Sequence, residues 1–304
     1  MAIGVPFSKD KLFMGSHWTK TVEKNRSHLV GFGFDGTACF RKGARLGPDA
    51  IREASYGIET YSPYLLLDLE DQNPLLDLGN VSVGMSPDQQ KNWEKGNHEF
   101  LKMLGPLHLK NDNIKLLTLG GEHSISYAPI KKYLADYPDL VVLHLDAHAD
   151  LRDGYEGYHY SHASIIRRVL DCFGEEHRLI QYGIRSGTKE EFEWMNKNET
   201  LFKSRVDFLE FVRDLPAQTP LYLTLDLDYF DPSFFPGTGT PEPGGEDFHS
   251  FIKLVKTLQG KNFVGADVVE LAPNVDSSGN SSVFAAKVVR ELALLLGQKK
   301  NDSI

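Results

Sequence analysis

Four stretches of this chain place acids and imidazoles at spacings that ordinary packing does not ask for. "LVVLHLDAHAD" (140–150) turns from an apolar half into Asp146, His148 and Asp150, one at every second position. "LYLTLDLDYFDP" (221–232) repeats the device with Asp226 and Asp228, and "IKLLTLGGEHS" (114–124) ends in Glu122 and His123. A fourth, "GADVVELAP" (265–273), carries Glu270. Side chains two apart in an extended segment point the same way, so Asp146, His148 and Asp150 share one side, as do Asp226 and Asp228.

Four like charges in one small space would raise several pKa values and destabilise the fold, and a bound cation reverses that. His123, His148 and the four aspartates offer nitrogen and hard oxygen and no thiolate. One divalent ion rarely needs four carboxylates, whereas two ions that share some of them do. The mixture suits Mn²⁺ best, with Fe²⁺, Co²⁺ or Zn²⁺ next; Mg²⁺ and Ca²⁺ prefer fewer imidazoles. Two such ions roughly 3.5–4 Å apart can generate hydroxide at neutral pH and clamp an electrophile. Taken singly, a buried His or Asp is usually a hydrogen-bonded structural group, and Asp at a strand end often caps a helix. Six of them on three neighbouring strand ends favour metal binding.

The elements that must position these residues alternate along the chain. Apolar runs predict strands over 28–34, 74–79, 114–120, 140–146, 178–184, 221–228 and 263–271. Between them the patterns predict helices, among them "GPDAIREAS", "PDQQKNWEKGNHEFLKMLG", "APIKKYLADY", "HASIIRRVLDCFG", "EEFEWMNKN" and "FHSFIKLVKTLQG". A last helix is expected over 282–297, from apolar residues at three- and four-residue spacing. Near-continuous apolar strands alternating with helices indicate an α/β fold with a parallel sheet covered on both faces. In such sheets ligands bind outside the carboxyl ends of the strands, where the acids and imidazoles fall. No linker or repeat divides the chain, so one domain over 1–304 is expected, with 1–27 as a surface arm and 298–304 as a frayed tail.

At 41% hydrophobic and 25% charged residues, the composition is that of a soluble globular protein. Two cysteines, Cys39 and Cys172, make no CxxC pattern and no disulfide framework, which points to a reducing, cytoplasmic compartment. No stretch resembles a signal peptide or a membrane span. The net charge of −9 argues against nucleic-acid binding and fits a small cationic ligand.

The motifs resemble those of the ureohydrolases, the family of arginase, agmatinase and their relatives, which carries a binuclear manganese site. They are "GARLGPDAIR" (43–52), "GGEHS" (120–124), "DAHADLRD" (146–153), "SHASIIRR" (161–168), "LDLDYFDPSFFPGTGTPEPGG" (225–245) and "DVVELAP" (267–273). The resemblance covers roughly residues 28 to 297. It implies two Mn²⁺ ions per subunit, held by His123, Asp146, His148, Asp150, Asp226 and Asp228. It also implies His162 as a mobile proton shuttle and Glu270 as the carboxylate that holds the substrate guanidinium. The implied fold is a three-layer sandwich around a mostly parallel eight-stranded sheet, assembled as a homotrimer or homohexamer.

The implied chemistry is attack on the guanidinium carbon by a hydroxide bridging the metals. Four aspartates, two divalent ions and that hydroxide sum to about one negative charge, which attracts a guanidinium. Glu270 would accept two parallel hydrogen bonds from that planar group. An imidazole with a pKa near neutrality at His162 would relay the proton to the leaving amine.

Departures from arginase narrow the substrate. Where arginases hold the α-carboxylate with small polar residues, this chain has the bulky "GYEGYHYSH" (154–162). Where they place an Asp for the α-amino group, "GIRSGT" (183–188) offers Ser186. "PGTGTPEPGG", "GIRSGT" and "SHASIIRR" resemble the agmatinase branch, so the expected reaction is agmatine plus water to putrescine plus urea. Guanidinobutyrate and other amidino substrates are the alternative, and a non-catalytic metal-binding oligomer would be marked by loss of one of these residues. "GFGFDG" (31–36) fits a dinucleotide fingerprint, but no helix begins at once after it, so nicotinamide binding is set aside.

Overall fold

The structure, a computed structural model, describes residues 11–298. Its strands in chain order are β1 (His17–Trp18), β2 (Ser27–Phe32), β3 (Tyr61–Ser62), β4 (Leu67–Asp68), β5 (Leu76–Asn80), β6 (Lys115–Gly120), β7 (Val141–Leu145), β8 (Arg178–Tyr182), β9 (Leu201–Phe202), β10 (Leu221–Asp226) and β11 (Phe263–Val269). Its helices are α1 (Gly47–Ser55), α2 (Gln89–Leu104), α3 (Tyr127–Asp136), α4 (Ile165–Leu170), α5 (Lys189–Lys197), α6 (Arg205–Asp214), α7 (Phe248–Leu258) and α8 (Asn280–Gly297).

Nine strands form one sheet in the order β1-β5-β2-β6-β11-β10-β7-β8-β9, with every pairing parallel. The two others make a small antiparallel hairpin, β3-β4. All seven strands predicted from apolar runs are present. The sheet has nine strands where the resemblance implies eight: to the seven read from apolar runs each edge adds a strand of two residues, β1 and β9, too short to leave a pattern. The α6 helix was not foreseen; Phe208 and Val212 are its only fully buried apolar residues.

The two-residue period of the strands divides the core. Leu143, Leu223 and Leu117 pack with α1, α6, α7 and α8 on one face. Val142, Tyr222 and Leu116 pack with α2, α3, α4 and α5 on the other. Strands buried on both faces can be apolar at nearly every position, which is why β7 reads VVLHL with all five residues buried.

The expected surface arm over 1–27 needs correction within its described part. Phe13 is buried, its N–H donates to Asp77 Oδ2 at 3.2 Å, and β1 adds itself to β5. Residues 13–18 are therefore packed onto the sheet edge, while most of 20–25 is exposed. The first ten residues and, apart from Gln298, the expected tail lie outside the described residues.

One buried ion pair ties the early motif "GARLGPDAIR" to the sheet. Arg52 of α1 donates Nε and Nη2 to the two oxygens of Asp77 at 2.8 Å each, and Nη1 to Asn80 at 2.7 Å. Both charges are shielded from solvent. Removing one partner of such a pair strands the other, so Arg52→Met is expected to cost about 3–5 kcal/mol in urea unfolding. A loss below about 1 kcal/mol would show that the pair is not needed to hold α1.

Candidate metal centre

The strands that carry the candidate residues, β6, β11, β10 and β7, are consecutive neighbours in the sheet despite their separation in sequence. Their carboxyl ends therefore meet. His123 begins the 3₁₀ turn after β6, and Asp146 follows β7 directly. His148 remains in parallel register beside Ser186. Asp226 is the last residue of β10, and Glu270 follows β11.

Strand alternation explains only part of this convergence. It carries through His148, but Asp150 reaches the site from a left-handed backbone, with φ of 53°. Glu270 is likewise left-handed, at 67°. Non-glycine residues held in this region concentrate at functional sites, because the surroundings must enforce the strain. For Glu270 the enforcing bond runs from its N–H to the Gly121 carbonyl at 2.8 Å. Gly121 itself admits no side chain, since a Cβ would lie 2.0 Å from the Phe34 carbonyl oxygen. Asp228 lies in a 3₁₀ turn, Leu227–Tyr229, and its N–H donates to Asp226 Oδ1 at 2.8 Å. A turn, not the pleat, brings those two aspartates together.

All six candidate ligands come to one place. His123 Nδ1 lies 2.9 Å from Asp146, 3.1 Å from Asp150 and 3.4 Å from Asp226, measured to Oδ2 in each case. His148 Nδ1 lies 2.8 Å from Asp228 Oδ2 and 3.6 Å from Asp146 Oδ1. Two overlapping groups result, one of His123, His144, Asp146 and Asp150 and the other of Asp146, His148 and Asp228. Asp146 belongs to both, as a carboxylate between two ions would.

The proton inventory around His123 tests whether a cation fits. Thr224 Oγ1 donates its one proton to Asp267 at 2.7 Å. Toward His123 Nε2, 2.9 Å away, Thr224 can therefore only accept. The neutral ring then carries its proton on Nε2 and turns the Nδ1 lone pair toward three carboxylates. Nδ1 is buried without an aligned hydrogen-bond partner despite those close oxygens. Burial opposes a charge on His123, but Asp146, Asp150 and Asp226 raise its pKa, so this nitrogen calls for a positive partner, a proton or a metal ion, and the donor set of one imidazole and three carboxylates fits a metal ion.

Burial and mutual repulsion act on the acids as expected without bound cations. Burial first, then Asp146, pushes Asp150 up to about 7. Burial with the neighbouring acids also raises Asp226 and Asp228. Burial and the charge of Glu122 raise Glu270. Asp146 goes the other way: burial opposes its charge, but the imidazoles of His123, His144 and His148 gathered around it hold it far below the usual carboxylate range.

The same site contains residues that the sequence reading passed over. His144 Nε2 lies 2.9 Å from Asp146 Oδ2, and Gln181 Nε2 lies 3.2 Å from His144 Nδ1. Thr200 donates to Gln181 Oε1, which orients the amide to donate to His144. The His144 proton therefore sits on Nε2 and points at Asp146. His144 supports that carboxylate from behind and has no lone pair left for an ion. Its signal was present: it is one step back along the period that gives Asp146 and His148.

A cavity of about 240 Å³ opens onto these groups and is also lined by His162 and Glu270. Glu270 Oε1 accepts the His123 N–H at 2.8 Å, while its other oxygen takes no donor from the described residues. His162 starts a 3₁₀ turn, with its ring edge-on to Tyr155 at 5.6 Å between centroids. Burial, then the positive potential around His148 and His123, lowers its pKa to about 4, not to the near-neutral value expected. It therefore rests as a neutral imidazole.

The chain is similar to known proteins along most of its length. The sequence pattern of the arginase family matches residues 25–295. An agmatinase from Bacillus cereus is 40% identical over 93% of this chain and 96% of its own. A guanidinobutyrase from Pseudomonas aeruginosa is 30% identical over 88% of this chain and 85% of its own. The crystal structure of agmatine ureohydrolase from Thermoplasma volcanium superposes with a TM-score of 0.74 at 28% identity, covering 91% of this chain and 94% of that one.

Asp146→Asn and Asp228→Asn should each lose at least one of two divalent ions, read by metal analysis after manganese loading and dialysis. Two ions retained in both variants would contradict the ligand assignment.

Proposed function

The chain belongs to the arginase family, and from that premise we propose that it hydrolyses agmatine to putrescine and urea with two Mn²⁺ ions per subunit. The broader reading, a ureohydrolase acting on guanidino compounds, follows from the family and from the agmatinase and guanidinobutyrase relatives. The observation that carries the proposal is the pair of ligand groups sharing Asp146, set in one cavity with a Glu270 oxygen still open to a donor.

His123, Asp146, His148, Asp150, Asp226 and Asp228 would hold the two ions. When bound, the ions supply a hydroxide nucleophile at neutral pH. Glu270 receives the substrate: its carboxylate accepts N–H bonds from the planar guanidinium and turns the central carbon toward the metal side of the cavity. The His123 N–H holds that carboxylate in one orientation before substrate arrives. His162, neutral at rest, takes up a proton and delivers it to the departing amine. A ring that rests neutral and is protonated only in passing suits this task.

Agmatine is favoured over arginine because Ser186 and the aromatic 154–162 segment offer no clamp for an α-amino-acid head. One observation favours a second reading. The Arg152 guanidinium lies 4.7 Å from the Tyr155 ring centroid, and both residues line the cavity. A cation on that wall would suit a carboxylate tail such as that of guanidinobutyrate. Assembly as a trimer or hexamer, which the resemblance implies, is read directly by light scattering.

A urea-release panel of agmatine, arginine, guanidinobutyrate and guanidinopropionate with manganese-loaded protein decides among these. Agmatine is expected to be fastest. Faster guanidinobutyrate would move the assignment to the second reading, and no urea from any substrate despite two bound ions would support a non-catalytic protein. Glu270→Gln should keep both ions and lower kcat/KM on the order of 100-fold, since a charge-assisted contact is lost. Unchanged kinetics would remove Glu270 from the substrate site.

A further inference from the structure

The segment "GFGFDGTACF" crosses from β2 to the wall of the cavity and places a hydroxyl beside His162. Thr37 Oγ1 is 3.3 Å from the His162 backbone nitrogen, whose N–H it accepts, and 3.4 Å from His162 Nδ1. Behind it lies Glu122, fully buried. Thr37 Oγ1 donates to Glu122 Oε1. The Thr37 N–H donates to Oε2 at 2.9 Å, and Ser124 Oγ donates to Oε1 at 2.7 Å.

Three donors converge on the Glu122 carboxyl group, and in its charged form it accepts from all three. A threonine hydroxyl has one proton, and here Glu122 takes it. Toward His162 the Thr37 oxygen can then offer only lone pairs. The neutral imidazole must carry its proton on Nδ1 to meet that oxygen, which leaves Nε2 as the basic nitrogen. The arrangement parallels His123, where Thr224 accepts from one ring nitrogen while donating to the buried Asp267. Here it acts on the ring that moves protons.

We propose that Thr37, held by Glu122, is a positioning residue that fixes the tautomer and orientation of His162, so that the proton arrives at and leaves from Nε2. This rests on the proposed role of His162. Neither Thr37 nor Glu122 touches the reacting atoms; both act through the ring. The rest of the cavity wall is consistent with that division, since Tyr155 meets the His162 ring only edge-on.

A double-mutant cycle on the manganese-loaded enzyme tests it, with metal content and melting temperature followed in every variant. Thr37→Val keeps the shape and removes the hydroxyl. It is expected to lower kcat about tenfold, the scale of one lost hydrogen bond, with KM and metal content little changed. Thr37→Ser should recover most of that loss. In a His162→Ala background, Thr37→Val should add nothing, because the ring it acts on is gone. Wild-type kcat in Thr37→Val overturns the proposal, and so does a full further tenfold loss in the His162→Ala background. If Thr37→Val does not fold, Thr37→Ala carries the same comparison. Near-wild-type kcat for His162→Ala alone would instead remove the role of His162 on which the proposal rests.

Discussion

Four aspartates and Glu270 are gathered, nearly all solvent excluded, at the ends of adjacent parallel strands. Their repulsion is the constraint around which the rest of the molecule is arranged. Asp150, Asp226, Asp228 and Glu270 are all pushed upward by burial and by one another. A protein that kept this cluster only for packing would be more stable with apolar residues there. Cations between the carboxylates relieve the repulsion, and the deprotonated face of His123 completes a site for them.

The support for that arrangement runs through the sheet as a polar row one step below the site. Thr118 pairs in register with Asp267, Asp267 with Thr224, Thr224 with His144, and His144 with Gln181. All five are fully buried. Parallel strands in register present such residues on the same side, and Asp267, Thr224, His144 and Gln181 hydrogen-bond to one another or to the site above. Asp267 gathers Ser126, Tyr222 and Thr224, and through Thr224 it orients His123. Gln181 orients His144, and His144 orients Asp146. Ligand geometry is thereby set by side-chain protons whose positions follow from simple donor counting.

Much of this was legible in the sequence, for physical reasons. Strands buried on both faces announce themselves as apolar runs, so all seven long strands and the three-layer class could be read. Acids at the ends of such runs conflict with their surroundings, which exposed Asp146, His148, Asp226 and Asp228. Edge strands of two residues leave no periodic trace, so the sheet is wider than expected. The polar row was missed because single Thr, Gln or His residues inside apolar runs read as ordinary strand content; only register shows that they align. The left-handed backbone at Asp150 and Glu270 was also hidden, because Glu rarely adopts it and Asp, though more tolerant, adopts it at few of its positions. The partnership of Thr37 with His162 joins positions 125 residues apart, and no spacing rule spans that distance.

We propose that this cluster would hold two metal ions, with Asp146 common to both ligand groups. Electron paramagnetic resonance of the manganese-loaded wild-type protein, with metal content measured on the same sample, tests it most directly. About two Mn²⁺ per chain and a spin-coupled spectrum are predicted. One Mn²⁺ per chain with the six-line spectrum of an isolated ion, or no retained manganese, would contradict it.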